Sequence, residues 1–181
     1  MNSFENNIVR LRAIGLSIAL VIFIFDQLSK WWILTEVMPI PTVIRVTSFF
    51  NIVIAYNRGI SFGMFDSGSP WGSWILIAVA LGIVALLLSW LMKGESLMSA
   101  LAIGLIIGGA LGNVVDRIRL GAVVDFLDFY IGSNHWPAFN LADTAITLGA
   151  AALIFEALKT EPEQPKNNGN IDTDHNQSEK P

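Results

Sequence analysis

The sequence predicts an α-helical integral membrane protein with four transmembrane helices and a small extracytoplasmic β-rich element between helices 1 and 2. Three observations lead there. The 181 residues are 53% hydrophobic and 14% charged, with a mean hydropathy of +0.56, too apolar and too poor in charge for an ordinary soluble domain of this length. Four segments approach the roughly 20 apolar residues that a spanning helix needs. A stretch rich in β-branched and aromatic residues separates the first segment from the second.

The first helix is expected over residues 12–34. Its uncharged run, 13–25, is too short to cross and must continue, which puts Asp26 and Lys30 below the interface. Trp31 and Trp32 mark the boundary just beyond that pair, because tryptophan favours the headgroup level. Arg10 and Arg12 ahead of an apolar run resemble a signal peptide, but no small-residue cleavage site follows and Asp26 interrupts the run. A retained helix is therefore expected. The β-rich loop spans 40–65; its core, TVIRVTSFFNIVIAYN, predicts two short strands, followed by the turn signal NRG, in a small sheet resting on the membrane surface.

Helices are expected next over 71–92 and 96–115, separated only by Lys93, Gly94 and Glu95 and so forming an antiparallel hairpin. Gly104, Gly108 and Gly112, widened by Gly109, give the third helix a small-residue face. Ala142, Ala145, Gly149 and Ala152 give the fourth, expected over 138–158, a similar one. Such faces allow close approach, which predicts that these two helices pack together and join their outer ends. Residues 1–159 make one membrane domain on this reading. Residues 160–181, rich in Asn, Pro, Gln, Lys and acids, are expected to be a disordered and dispensable tail.

Much of the acid behind the net charge of −4 lies in that tail, at Glu161, Glu163, Asp172, Asp174 and Glu179, so the overall charge says little about partners. With no cysteine, disulfides, thiolate metal sites and a cysteine nucleophile are excluded. No metal or other cofactor is expected: His135 and His175 are far apart, and His135 beside Trp136 reads as an interfacial loop residue. Four spans place both termini on one side. Arg10, Arg12, Lys93 and Lys159 flank it and make it cytoplasmic, against an opposing set of Lys30, Arg45, Arg58, Arg117 and Arg119.

On that topology Asp26, Asp116, Asp125 and Asp143 share the outer face with Lys30, Asn57, Asn113, Arg117 and Asn140, while the inner halves of the spans hold no ionisable group. Asp26 and Lys30, four apart on one helix, read as a structural ion pair. Asp116 beside Arg117 reads as a local ion pair or end-of-helix anchor, with the five donors of Arg117 suited to bracing carbonyls or carboxylates. Asp125 and Asp143 have no basic residue within four positions. Two such acids meeting at an interface can share one proton, as in aspartic proteases. Intramembrane acids also mark ion and proton paths, and the residues alone leave both readings open. A non-enzymatic adaptor would leave the two aspartates unexplained.

Four stretches in order, FDQLSK, YNRGISFGMF, GGALGNVVDRIRLGAVVDF and PAFNLADTAITLG, resemble the bacterial lipoprotein signal peptidases, or signal peptidase II, which are four-helix membrane aspartyl proteases. The resemblance runs to about Lys159. It implies Asp125 and Asp143 as the catalytic pair, and Asp26, Lys30, Asn57, Gly59, Asn113, Asp116, Arg117, Asn140 and Ala142 as residues that support the site or hold substrate. The implied substrate is a prolipoprotein whose cysteine bears diacylglycerol, cut just before that cysteine. Membrane lipid is the other partner implied; nucleic acid is not, and the chain is expected to act as a monomer. The implied location is the bacterial cytoplasmic (inner) membrane with the active site at the outer face. The family stretch often has alanine before the phenylalanine and serine after it, where this chain has Ser61, Phe62 and Gly63.

Overall fold

The computed structural model describes residues 3–59, 71–94 and 96–159. The end of the expected β-rich loop, the Ser61 to Gly63 departure and the tail 160–181 lie outside the described residues. In chain order the elements are α1 (Ser3–Trp32) continuing into a π turn (Ile33–Val37), β1 (Ile44–Arg45), β2 (Phe50–Asn57), α2 (Trp71–Leu91), α3 (Leu97–Leu120), β3 (Val123–Ile131), β4 (Asn134–His135) and α4 (Leu141–Lys159). Among the described residues, four helices are long and apolar enough to cross a membrane. In α3, 72% of the most apolar window is buried inside the protein, against 17% in each of the others, so α3 is the central helix.

Helix ends differ from the sequence reading where local chemistry overrides hydropathy. The third helix does not stop at residue 115, where the charges begin. It runs through Asp116 and Arg117 to Leu120 and ends on Gly121, whose φ of 70° and N–H donated to the Arg117 carbonyl at 3.0 Å form a left-handed C-cap. The fourth starts at Leu141 rather than 138, because Asn140 caps it: the Asn140 side-chain oxygen accepts the Asp143 N–H at 2.9 Å, and the Asp143 carboxylate accepts the Asn140 N–H at 3.2 Å.

The expected partnership of the glycine face is corrected. A Cβ built on Gly104 or Gly108 would lie 2.5 Å from the carbonyl oxygen of Gly15 or Ala19, so this stripe packs on α1, not α4. The approach to α4 is made instead by Gly109 against the Ala142 carbonyl and by Gly149 against Ala102. Spacing alone finds such a face but not its partner, since α3 carries small residues on two sides. Gly108→Val therefore drives backbone against backbone, where overpacking costs about 1–3 kcal/mol or more. The expected outcome is a clear fall in the thermal midpoint in detergent; an unchanged midpoint contradicts the close α1–α3 contact.

The sheet is the largest departure. Both strands expected after the first helix are present, but β2 is internal, and the four antiparallel strands run in the order β1-β2-β3-β4. Half of the sheet comes from the connection between α3 and α4, which the sequence reading left without strands. In β2–β3 pairing, Ala55 faces Asp125 and Asn51 faces Asp128, with a register shift between Ile52 and Ala55. The inner half of α4 is also not free of ionisable groups: Glu156 accepts hydrogen bonds from Ser96 and from Ser99. Ser96 is the N-cap of α3 and Ser99 lies in its first turn, where a carboxylate complements the helix dipole.

Candidate active site

Asp26 and Lys30 form the expected pair at 2.9 Å, and they are 0% and 3% exposed. Lys30 does more than neutralise its own helix. Its ammonium reaches Asp116 at 2.8 Å and the Asn113 side-chain oxygen at 3.0 Å, so its three donors join α1 to α3. The second oxygen of Asp26 accepts the Ala142 N–H at 3.0 Å, using one of the unpaired donors at the start of α4. Gly112 makes this possible, because a Cβ there would meet the Asp26 carboxylate. Ala142 is fully buried, with its backbone between Asp26 and Gly109.

The local pairing expected between Asp116 and Arg117 is corrected: the ion-pair partner of Asp116 is Lys30. Consecutive residues on a helix point in different directions, so a sequence neighbour is a poor guide to a partner. Asp116 also accepts the Gln27 amide at 3.1 Å and the Val124 N–H at 3.2 Å, which ties the start of β3 to α3. Gln27 was missed by sequence reasoning, although it stands inside FDQLSK. Arg117 donates to the Asn113 carbonyl at 3.4 Å, and its buried Nε has no hydrogen-bond partner among the described residues. Because Asp116 works on the fold, Asp116→Asn is expected to lower folded yield or leave partial activity. A variant of normal yield with zero turnover contradicts that.

Above this hub lie the two remaining acids. Asp125, 2% exposed, sits on β3, and Asp143, half-buried, sits in the first turn of α4. Asn140 touches both: its amide donates to Asp125 at 2.7 Å and its backbone N–H to Asp143 at 3.2 Å. Asn113 donates to the other oxygen of Asp143 at 2.8 Å while accepting from Lys30 and, at 3.3 Å, from Asn140. Asn57 hydrogen-bonds Asp125 from β2. Gly59, at φ 94°, donates its N–H to the Asn57 side-chain oxygen at 2.9 Å, a turn that favours glycine and orients that amide.

All nine polar residues expected on one face are thus joined in one layer, with Gly59 and Ala142 at its edges. Burial first, and the neighbouring Asp143 charge second, push the Asp125 carboxyl up to about 6, against the opposing effect of hydrogen bonds from Asn57 and Asn140 and of the Lys30 charge. A carboxyl raised this far is partly protonated at mildly acidic pH, which suits general acid–base work. Beside Asp143 opens a cavity of about 410 Å³ lined by Trp136, Phe139, Thr144 and Leu148 among others. Among the described residues no cluster of His, Cys, Asp and Glu suits a metal ion.

Four helices long and apolar enough to cross a membrane, around a buried layer of acids, define a multi-pass membrane protein. The family model for signal peptidase (SPase) II matches residues 18–159. A lipoprotein signal peptidase of Burkholderia vietnamiensis is 46% identical over 146 residues, covering 80% of this chain and 87% of the relative. One from Burkholderia multivorans is 47% identical over the same shares. Two solved structures described as bacterial membrane enzymes align with TM-scores of 0.68 and 0.70 at 32% and 33% identity, covering 83% and 80% of this chain and 93% and 92% of theirs. The chain belongs to the signal peptidase II family of membrane aspartic proteases.

Proposed function

We propose that this protein removes the signal peptide from diacylglyceryl-modified prolipoproteins, cutting before the lipidated cysteine, with Asp125 and Asp143 activating water. The observation that carries the reading is the single residue, Asn140, that hydrogen-bonds both carboxylates and so holds them as one unit. The shared proton rests on Asp125, the more buried member. Asp143, open to the cavity, takes a proton from water as the water oxygen attacks the scissile carbonyl. Asp125 gives its proton to the carbonyl oxygen. The tetrahedral diol then collapses: one of its hydroxyls returns a proton to Asp125 as the C=O re-forms, the C–N bond breaks, and the departing amine takes the proton held by Asp143. Each proton transfer of this kind contributes about 10²–10⁴ in rate.

Lys30, Asp26, Asp116, Asn113 and Ala142 support the pair from below, while Asn57, Gly59 and Arg117 lie on the side where substrate backbone would arrive. The chain works as a monomer, with the acyl chains of the substrate in the bilayer and residues 1–159 as the peptidase domain, an extent supported by the family match ending at 159. It lies in the bacterial inner membrane with both termini cytoplasmic and the site at the outer face, an orientation supported by Arg10, Arg12, Lys93 and Lys159. A proton path is disfavoured because residues 144–155 carry no ionisable group between Asp143 and Glu156. The test is a gel-shift assay of purified protein on a diacylglyceryl-modified prolipoprotein. Cleavage before the modified cysteine is expected. A folded protein that leaves the substrate intact, and conducts protons in liposomes, overturns the reading.

A further inference from the structure

One buried acid has no part in the chemistry above. Asp128, 6% exposed, lies three residues beyond Asp125 on β3. The Asn51 amide donates to one of its oxygens at 2.8 Å, and His135 Nδ1 lies 2.8 and 2.9 Å from the two oxygens. Burial works against its charge, but the hydrogen bonds from Asn51 and His135 and the charge of His135 outweigh burial and hold its carboxyl below the usual range. An ionised carboxylate only accepts, so Nδ1 of His135 carries the hydrogen. The His135 ring is stacked on Tyr130, with centroids 4.9 Å apart. Asn51, Asp128 and His135 thus fasten β2, β3 and β4 at one point.

The chain returning from that point leads to the site. Trp136 N–H bonds the Phe129 carbonyl at 2.7 Å, Phe139 N–H bonds the Leu127 carbonyl at 3.1 Å, and the Phe139 carbonyl accepts from Phe126 and Leu127 at 3.1 and 2.9 Å. The next residue is Asn140, which holds Asp125 and Asp143. The segment joining the two acids is therefore a closed hairpin, with Asp125 at its start, the Asp128–His135 contact at its far end and Asp143 just past its return. A slip of one residue in such a pairing reverses every side chain.

We propose that Asn51, Asp128 and His135 form a positioning clasp that sets the separation of Asp125 and Asp143 by holding the returning segment 136–139 in register. The proposal rests on the two-aspartate reading and adds positioning residues remote from the substrate. A misplacement of about 1 Å between reacting groups costs on the order of 100-fold. Loosening the clasp acts on turnover, not on substrate binding. It also weakens the coupling of the two acids. Asp125 is faced by Asp143 on α4, Asn57 on β2, and Lys30 and Arg117 on α1 and α3; of these, the clasp controls the approach of the Asp143 side.

The experiment compares the full chain with His135→Ala and His135→Asn, whose amide nitrogen takes the place of Nδ1, on the modified prolipoprotein across pH. For His135→Ala, kcat is expected to fall about 10- to 100-fold with KM within about twofold. The ionisation of the acid pair in the pH–rate profile moves down, and His135→Asn recovers most of both. Parent-like kcat and pH profile in His135→Ala overturn the clasp. So does a loss that only tracks the folded fraction, with an unmoved profile and no recovery in His135→Asn. A parent that does not cleave overturns the two-aspartate reading and the clasp together, since no pair is left to position.

Discussion

Asp125→Asn and Asp143→Asn are each expected to lower cleavage of the modified prolipoprotein by about 1,000-fold or more, within the range that a lost acid or base costs, with both variants still folded in the membrane. Asparagine keeps the size of the side chain and an oxygen that can still accept from Asn140 at the position now 2.7 Å away. It cannot carry a proton between water and a carbonyl. The sign of the stability effect distinguishes this from simple unfolding. Asp125 has its carboxyl raised in the folded protein to about 6 from a usual value of 3.8, so the folded state binds the proton more tightly than the unfolded one. Its contribution is fully present at acid pH and is lost as pH rises from near 4 through about 6, on the order of 3 kcal/mol for a shift of this size. Asp125→Asn removes that loss. Its thermal midpoint at alkaline pH is expected to equal or exceed that of the parent, even as turnover disappears. Retained cleavage in both variants would sink the assignment; a collapsed midpoint in Asp125→Asn would contradict the buried, proton-sharing account.

Much of the site was legible because a membrane makes charge expensive. Asp26, Lys30, Asp116, Asp125 and Asp143 stand out in a chain with only 14% charged residues, and alternating topology alone places them at one face. Their pairing was less legible. Asp26 and Lys30 are four apart on one helix, a spacing that dictates contact; the Lys30 to Asp116 contact spans two helices and depends on how α1 and α3 are rotated. That rotation is set by Gly104 and Gly108, whose partner helix no spacing rule could name.

The sheet illustrates a different blind spot. VVDFLDFYI carries the β-branched and aromatic residues of a strand, yet Asp125 drew it toward a reading as site rather than as element, and Asp128 went unread. It is both. A strand lets β2 and β3 bring Asn57 and Asp125 together from distant parts of the chain, and it lets the return through Phe139 deliver Asn140 to the same place. The capping role of Asn140 was equally hidden, since a cap is recognised by its helix start, and hydropathy had put that start at 138 rather than 141.

Lys30→Met is expected to be the most damaging substitution for the fold. The Lys30 ammonium is 3% exposed and sits 2.9 Å from Asp26, 2.8 Å from Asp116 and 3.0 Å from the Asn113 oxygen, so all three of its donors are committed. A methionine of similar length fills the space but leaves two buried carboxylates facing each other without the cation between them. Removing one partner of a buried ion pair costs about 3–5 kcal/mol, a large share of a typical stability of about 5–15 kcal/mol. The expected result is little folded protein after detergent extraction, measured as monodisperse yield and thermal midpoint. Activity falls with it, because Asn113 loses the contact that orients it toward Asp143. A second substitution separates charge from packing. In Lys30→Met with Asp26→Asn, one carboxylate is neutralised and the Ala142 N–H can still be accepted by the amide oxygen, while Asp116 retains Gln27 and Val124. Folded yield is expected to recover in part, without full turnover. If Lys30→Met alone matches the parent in yield and midpoint, Lys30 is not the hub that joins α1 to α3, and the acids beneath Asp125 and Asp143 must be held by something other than its charge.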